Sequence, residues 1–242
     1  MKTVTALLTK KAYGYPTRGA RRRRKPTILA CLHQTANAKA MAIQERTYAN
    51  RAGSFGPSAT AYVDRDGTIV RAIDPAKYAT WSQGDVAHPN TKIPTIAAAV
   101  ASGVNMNEWV HESIECSGAG TEPFTDAQFE SVAHLVVAAH KATGLPINRS
   151  TVVVHADINN VSRRSDPWPP ATREARVKRV IARANAILRP PIVTVTVKSG
   201  DSLSAIASAH GLTLMALLAF PENAKYRTNP ALIHVGDVVR VR

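Results

Sequence analysis

Cysteine occurs only twice in this chain, at Cys31 and Cys116. Two thiols are too few for a disulfide framework, and neither belongs to a C-x-x-C pair of the kind that holds structural zinc. Each lies in an apolar run that reads as a buried strand, where a reduced thiol serves as a small core residue. Long hydrophobic runs are missing too: none approaches the roughly 20 residues needed to cross a bilayer. The opening MKTVTALLTKK carries about five apolar residues between its lysines, too few for the apolar core of a signal peptide. Synthesis in a cytoplasm without a signal peptide is therefore the expectation, so action outside the cell needs another export route.

Acid is also scarce, with 17 Asp+Glu against 31 Lys+Arg, a net charge of +14 and a pI near 10.2. Nine basic and no acidic residues precede Pro26, and residues 21–25 read RRRRK. Such a balance points to a polyanionic neighbour and says nothing about fold. Nucleic acid, anionic lipid and an acidic cell wall all qualify on charge. Aromatics make up only 5% of the chain, and the stacking or groove-reading elements of a nucleic-acid binder are not evident. What remains is ordinary: 45% hydrophobic residues and a mean hydropathy of −0.14 suffice for a real core. The length allows one full domain and a small second one.

Read in order, residues 1–26 form a basic arm. Residues 27–33, TILACLH, read as a buried strand after Pro26. Residues 38–50 have helical composition. In AYVDRDGTIVRAI, alternation on both sides of Asp66-Gly67 marks a β-hairpin. Residues 74–94 are loop-like, 95–102 a short helix stopped by Gly103, and 108–117 strand-like. Thr125 caps an amphipathic helix, with Gln128 as its capping-box partner and Gly144 as its stop. A strand, TVVVH, and an arginine-rich helix over 172–188 follow. Pro190-Pro191 then breaks the chain, and residues 193–242 read as a compact β-α-α-β unit. The alternation of strands and helices over 27–188 predicts an α/β domain with helices covering a mixed sheet.

Two strands end in histidine, His33 and His155. In open α/β sheets ligands gather at the carboxyl ends of strands, so parallel strands would project both imidazoles from one edge. Asp166 lies close enough in sequence to fold back onto His155. Two imidazoles and a carboxylate make a usual three-ligand set for catalytic zinc, and two histidines disfavour magnesium or calcium. A histidine at a strand end is, however, more often a hydrogen-bonded structural residue, and spacing leaves both readings open. Glu115 has the same ambiguity. A carboxylate inside a covered sheet is costly unless it is paired or working near a metal, yet the alternation of 109–116 also allows it to face solvent.

Taken together, LHQTAN at 32–37, YVDRDGTIV at 62–70, SIECSG at 113–118, VVVHADIN at 152–159 and SDPWP at 165–169 resemble the zinc-dependent N-acetylmuramoyl-L-alanine amidases, which share a fold with peptidoglycan recognition proteins. The resemblance covers about 27–188. It implies zinc held by His33, His155 and Asp166, with Glu115 as the base that takes a proton from the attacking water. The family's lysine two residues before the third ligand is replaced by Arg164, which keeps a charge for the oxyanion but is permanently protonated. A tyrosine that some members carry corresponds to about Ala59, which puts more weight on Glu115. Trp168 stands where glycine is usual, either lining the substrate groove with Trp81 or packing.

Residues 193–242 look like a LysM domain, which binds N-acetylglucosamine-containing glycans. By that resemblance its sugar groove corresponds to Gly200, Asp201 and Ser202 with Asn229, Pro230, Leu232 and Ile233, although PENAKYRT at 221–228 departs from the usual pattern. The implied layout is a 1–26 arm, a 27–188 amidase domain, a 189–192 linker and a LysM domain. It is that of a phage endolysin, expected to be monomeric and to act on bacterial peptidoglycan, with the basic segments favouring anionic wall polymers. The rival is a non-catalytic peptidoglycan-binding protein.

Overall fold

The computed structural model describes residues 3–5, 24–35, 59–80, 82–83, 86–118, 122–189 and 191–242. The chain divides into two compact units, 1–188 and 189–242. In the first, a six-stranded mixed sheet is built from β1 (Thr3–Thr5), β2 (Ile28–Gln34), β3 (Ala61–Val63), β4 (Ile69–Arg71), β5 (Val110–Cys116) and β6 (Val152–Val154), in the order β1-β4-β3-β5-β2-β6. Only the β3–β4 pair is antiparallel; β2, β3, β5 and β6 all run the same way. One part of the expected arm is thus a strand, since Thr3–Thr5 pairs with β4. Most of that arm, and the helix expected over 38–50, lie outside the described residues.

The sheet has a core on each side. Helices α2 (Asp126–Thr143) and α4 (Pro170–Leu188) cover one face, where Val132, Val136, Val177 and Val180 meet Leu32, Ile114 and Val152. Helix α1 (Pro94–Ala101) covers the other, with Ile93, Ile96 and Met106 on Cys31, Val110 and Val153. Both cysteines are buried and unbridged, as their strand contexts predict.

Helix α2 begins and ends where its local chemistry dictates. The Thr125 hydroxyl accepts from the Gln128 N–H, the Gln128 side chain accepts from the Thr125 N–H, and Gly144 closes the helix at φ 74°. The hairpin turn is pressed against this helix. Gly67 has φ 83°, and a Cβ there would lie 2.9 Å from the Ala127 carbonyl oxygen. A side chain at 67 would have to push the hairpin off α2, so glycine is required twice over.

The second unit has β7 (Thr194–Thr196) antiparallel to β8 (Val238–Arg240), with α5 (Leu203–Ala209), α6 (Leu214–Ala219) and a 3-10 turn, Pro221–Tyr226, between them. Leu203, Ile206, Leu217, Tyr226 and Val239 form its core. The atypical 221–228 stretch is held by buried Asn223, whose amide donates to the Leu217 and Arg240 carbonyls and accepts from the Arg240 N–H.

Candidate metal centre

The parallel order β5-β2-β6 puts three carboxyl ends side by side, and the site is built there. His33 is the penultimate residue of β2 and stands in register with Glu115 on β5. His155 follows β6 directly. The strand stops one residue earlier than its apolar run suggests, because His155 opens a helical turn, α3 (His155–Ile158). Buried Asp157 makes that turn: one carboxylate oxygen accepts from the Val154 N–H, and both accept from Arg149 at 2.9 and 3.0 Å. Asp166 returns to the same place. Its Oδ1 accepts from the Gln34 N–H at 2.8 Å, and its carbonyl accepts from the Ala156 N–H.

Three ligating atoms therefore converge. His33 Nδ1 and His155 Nδ1 are 3.0 Å apart, His155 Nδ1 is 3.1 Å from Asp166 Oδ2, and His33 Nδ1 is 4.0 Å from the same oxygen. A tetrahedral zinc with bonds of ~2.05 Å has ligand atoms about 3.3 Å apart, close to this spacing. The protonation pattern fits as well. His155 Nε2 lies 2.9 Å from the Gln83 carbonyl, which can only accept, so Nε2 carries a hydrogen and Nδ1 is left for a metal ion or a proton shared with Asp166. Burial, then the neighbouring His155, hold the His33 imidazole down to about 3, so it is neutral and has a lone pair to give. Its Nε2 is buried without a hydrogen-bond partner among the described residues. For Asp166, burial pushes upward, but the His155 hydrogen bond, the two imidazoles and the Gln34 N–H together keep it below the ordinary carboxylate value.

Glu115 lies on the sheet face that carries His33. Its Oε2 is buried with no hydrogen-bond partner among the described residues. Burial first, and the Asp166 carboxylate second, push its carboxyl up to about 8, with the Arg163 guanidinium pulling the other way. A poorly solvated carboxyl close to neutrality beside a candidate metal is suited to accept and return a proton. Tyr62, buried on β3, stands in register with Glu115, while Ala59 is fully buried. Arg164 is exposed; its carbonyl accepts from Arg173, and its charge bears on Arg173. Neighbouring Arg163 is the one whose charge reaches both His33 and Glu115.

The family model for N-acetylmuramoyl-L-alanine amidase matches residues 23–169, and that for the LysM domain matches 195–242. The chain belongs to the N-acetylmuramoyl-L-alanine amidase family. It is a peptidoglycan hydrolase carrying a LysM cell-wall-binding domain. Among solved structures, a mutant of PlyL is 17% identical, with a TM-score of 0.51 over 77% of this chain and 99% of that one. A mutant endolysin from Bacillus subtilis is 16% identical, with a TM-score of 0.51 over 76% and 99%. Both likenesses are of fold. No curated protein matches the chain.

The remaining expected positions of this amidase fall into two groups. Trp168 is fully buried among Phe124 and Phe129 in the α2–α4 core, so of its two readings packing replaces the groove. The reason is direction: α4 starts just after it and carries it beneath Arg176. Trp81 lies outside the described residues. In the LysM domain, Gly200 makes a turn at φ 86°, Asp201 accepts from the Lys198 N–H, and Ser202 caps α5. Asn229 accepts from the Ala231 N–H, Pro230 and Ile233 are half-buried, and Leu232 is 61% exposed. An aliphatic side chain that open to water is available to a ligand.

Sequence reasoning missed Gln83, Asp157 and Arg149. None has a motif of its own: Gln83 acts through a carbonyl whose partner is far along the chain, and Arg149 and Asp157 through a side-chain pair that no short pattern marks. Asp157 alone left a trace, as the acidic residue three positions after Val154 that a helix start favours.

Proposed function

We propose that this amidase is zinc-dependent and cleaves the bond between N-acetylmuramic acid and L-alanine, with His33, His155 and Asp166 as ligands and Glu115 as the general base. The observation that carries this reading is the convergence of two imidazole nitrogens and one carboxylate oxygen beside a buried, partnerless glutamate oxygen. Bound there, zinc supplies Lewis acidity toward the scissile carbonyl and toward water. Glu115 Oε2 takes the proton of the attacking water and passes it to the leaving alanine nitrogen, so one group serves as base and then acid. An arginine of the 159–165 loop faces the charge that develops on the carbonyl oxygen. Arg164 is the family-aligned position, while the field of Arg163 is the one felt at Glu115.

We infer that the LysM residues Gly200, Asp201, Ser202, Asn229, Pro230, Leu232 and Ile233 hold glycan and keep the hydrolase on its polymer. A hydrolase joined to a glycan binder is the layout of a phage endolysin, made in the host cytoplasm and acting on the wall as a monomer. The net charge of +14 suits contact with anionic wall polymers. The deciding experiment incubates the protein with peptidoglycan, with and without chelator, and measures new L-alanine amino termini against new reducing sugars. Amino termini that vanish with chelator are expected. Reducing ends would mean a glycosidase, and neither product would mean a binding protein without catalysis.

A further inference from the structure

The 82–108 connection has no catalytic motif, yet among the described residues it supplies the carbonyl that faces the second ring nitrogen of a candidate ligand. The Gln83 carbonyl accepts from His155 Nε2 at 2.9 Å, inside the protein. One side-chain oxygen holds both N–H groups that precede that carbonyl. Asn107 Oδ1 accepts from two consecutive backbone N–H groups, those of Ser82 and Gln83, each at 3.1 Å. Asn107 is itself fixed, since its backbone N–H and its Nδ2 both donate to Asn105 Oδ1 at 3.0 and 2.6 Å. From the sheet side, the Ser113 hydroxyl on β5 meets the Ser82 hydroxyl at 2.5 Å, and the Gln83 amide donates to Ser113 Oγ at 3.4 Å. Thr80 meets Ser82 at 2.8 Å. Ser82, Gln83, Asn107 and Ser113 are all buried.

We propose that Asn107 is a positioning residue for the metal ligand His155: by pinning the 82–83 peptide it aims the Gln83 carbonyl, which keeps hydrogen on Nε2 and turns Nδ1 toward His33 and Asp166. The reason is geometric. Two N–H groups on adjacent residues point at one acceptor only when the backbone between them is turned, and that turn sets where the following carbonyl points. Without the acceptor, two buried donors are orphaned, the turn relaxes, and the imidazole can rotate or change tautomer. Outer hydrogen bonds of this kind typically carry about 10–100-fold in metal affinity.

This inference rests on the metal-binding reading above, so the test separates the two. Full-length protein and its Asn107→Ala and Asn107→Asp variants are stripped of metal and titrated with zinc against a competing chelator dye. Imidazole nitrogen shifts of His155 are read in the metal-free proteins. Asn107→Ala is expected to bind zinc roughly 10–100-fold more weakly and to lose the single Nε2–H state of His155. Asn107→Asp, which keeps an oxygen acceptor, restores most of both. Wild-type affinity together with an unchanged His155 tautomer in Asn107→Ala overturns the proposal. Should Asn107→Ala fail to fold, Asn107→Ser, whose shorter side chain no longer reaches both N–H groups, decides it: weaker zinc binding with a mixed His155 tautomer supports the proposal, and wild-type values of both overturn it. If the wild-type protein takes up no zinc, the metal reading itself fails. The tautomer measurement still judges the Asn107 relay in that case.

Discussion

Two glutamates three residues apart on β5 have opposite fates. Glu112 and Glu115 point to opposite faces of the sheet, because successive side chains of a strand alternate. Glu112 is 1% exposed and fully engaged: it pairs with Arg71 and accepts from the Thr60 hydroxyl at 2.7 Å. Glu115 has a buried oxygen with nothing to accept from among the described residues, and stands beside His33. A buried carboxylate that is paired is part of the scaffold, since losing its partner would leave a charge stranded. One left unpaired is costly, and a site that keeps it uses its proton.

The comparison breaks most easily through Glu115→Gln. We expect activity to fall by roughly 10²–10⁴-fold, with zinc binding and melting temperature kept, as measured by amino-terminus release and calorimetry. His33→Ala should lose zinc and activity together. If Glu115→Gln stays active, the poised glutamate is not the base. Glu112→Gln should do the reverse, costing about 2–4 kcal/mol of stability in denaturant titration by stranding Arg71, while the folded fraction keeps its specific activity. Replacing both partners, Arg71→Met with Glu112→Leu, should recover most of that loss.

The pH dependence of chelator-treated protein sharpens the contrast. Glu115 is raised to about 8, so the folded chain keeps a proton that the unfolded chain releases. Its contribution to stability is full below the ordinary carboxylate value and is lost as pH rises toward 8. His33 is held down to about 3, so its contribution is full above the ordinary imidazole value and is lost as pH falls toward 3. Melting temperature should therefore fall on both sides. Glu115→Gln should remove the alkaline-side fall alone, and Glu112→Gln should leave both slopes in place.

The smallest effect concerns the arginine pair. Arg163→Ala removes a charge that pulls Glu115 down, so the alkaline-side fall should move to higher pH. Arg164→Ala should leave it where it is. A shift caused by Arg164→Ala instead would return the oxyanion role to that position alone.

Much of this was legible from residues. The capping box of α2 is a contiguous signal, as are Gly67 in the hairpin and the apolar strands that end near His33 and His155. Motif order carried the family, and with it the three residues whose donor atoms the structure brings together. Glu112 was not legible: on one strand an engaged glutamate and a poised one look alike, and what separates them is Arg71, a residue on another strand. The arginine-rich helix was equally ambiguous. Arg179 and Arg183 are engaged by Asp126 and Glu130 across the α2–α4 seam, so these two cations join helices rather than stand free for a polyanion.

The sequence by itself determined the element types, the two-part layout, the family and the donor atoms offered to a metal, because those depend on local chemistry and on motifs that survive as short strings. Only the tertiary structure decided which of these groups face each other. The parallel order β5-β2-β6 brought His33, Glu115 and His155 to one edge. The fold also buried Trp168 under a helix and placed the Gln83 carbonyl, through Asn107, behind His155. Each of these depends on distances between residues far apart in the chain, and only the packed sheet sets them.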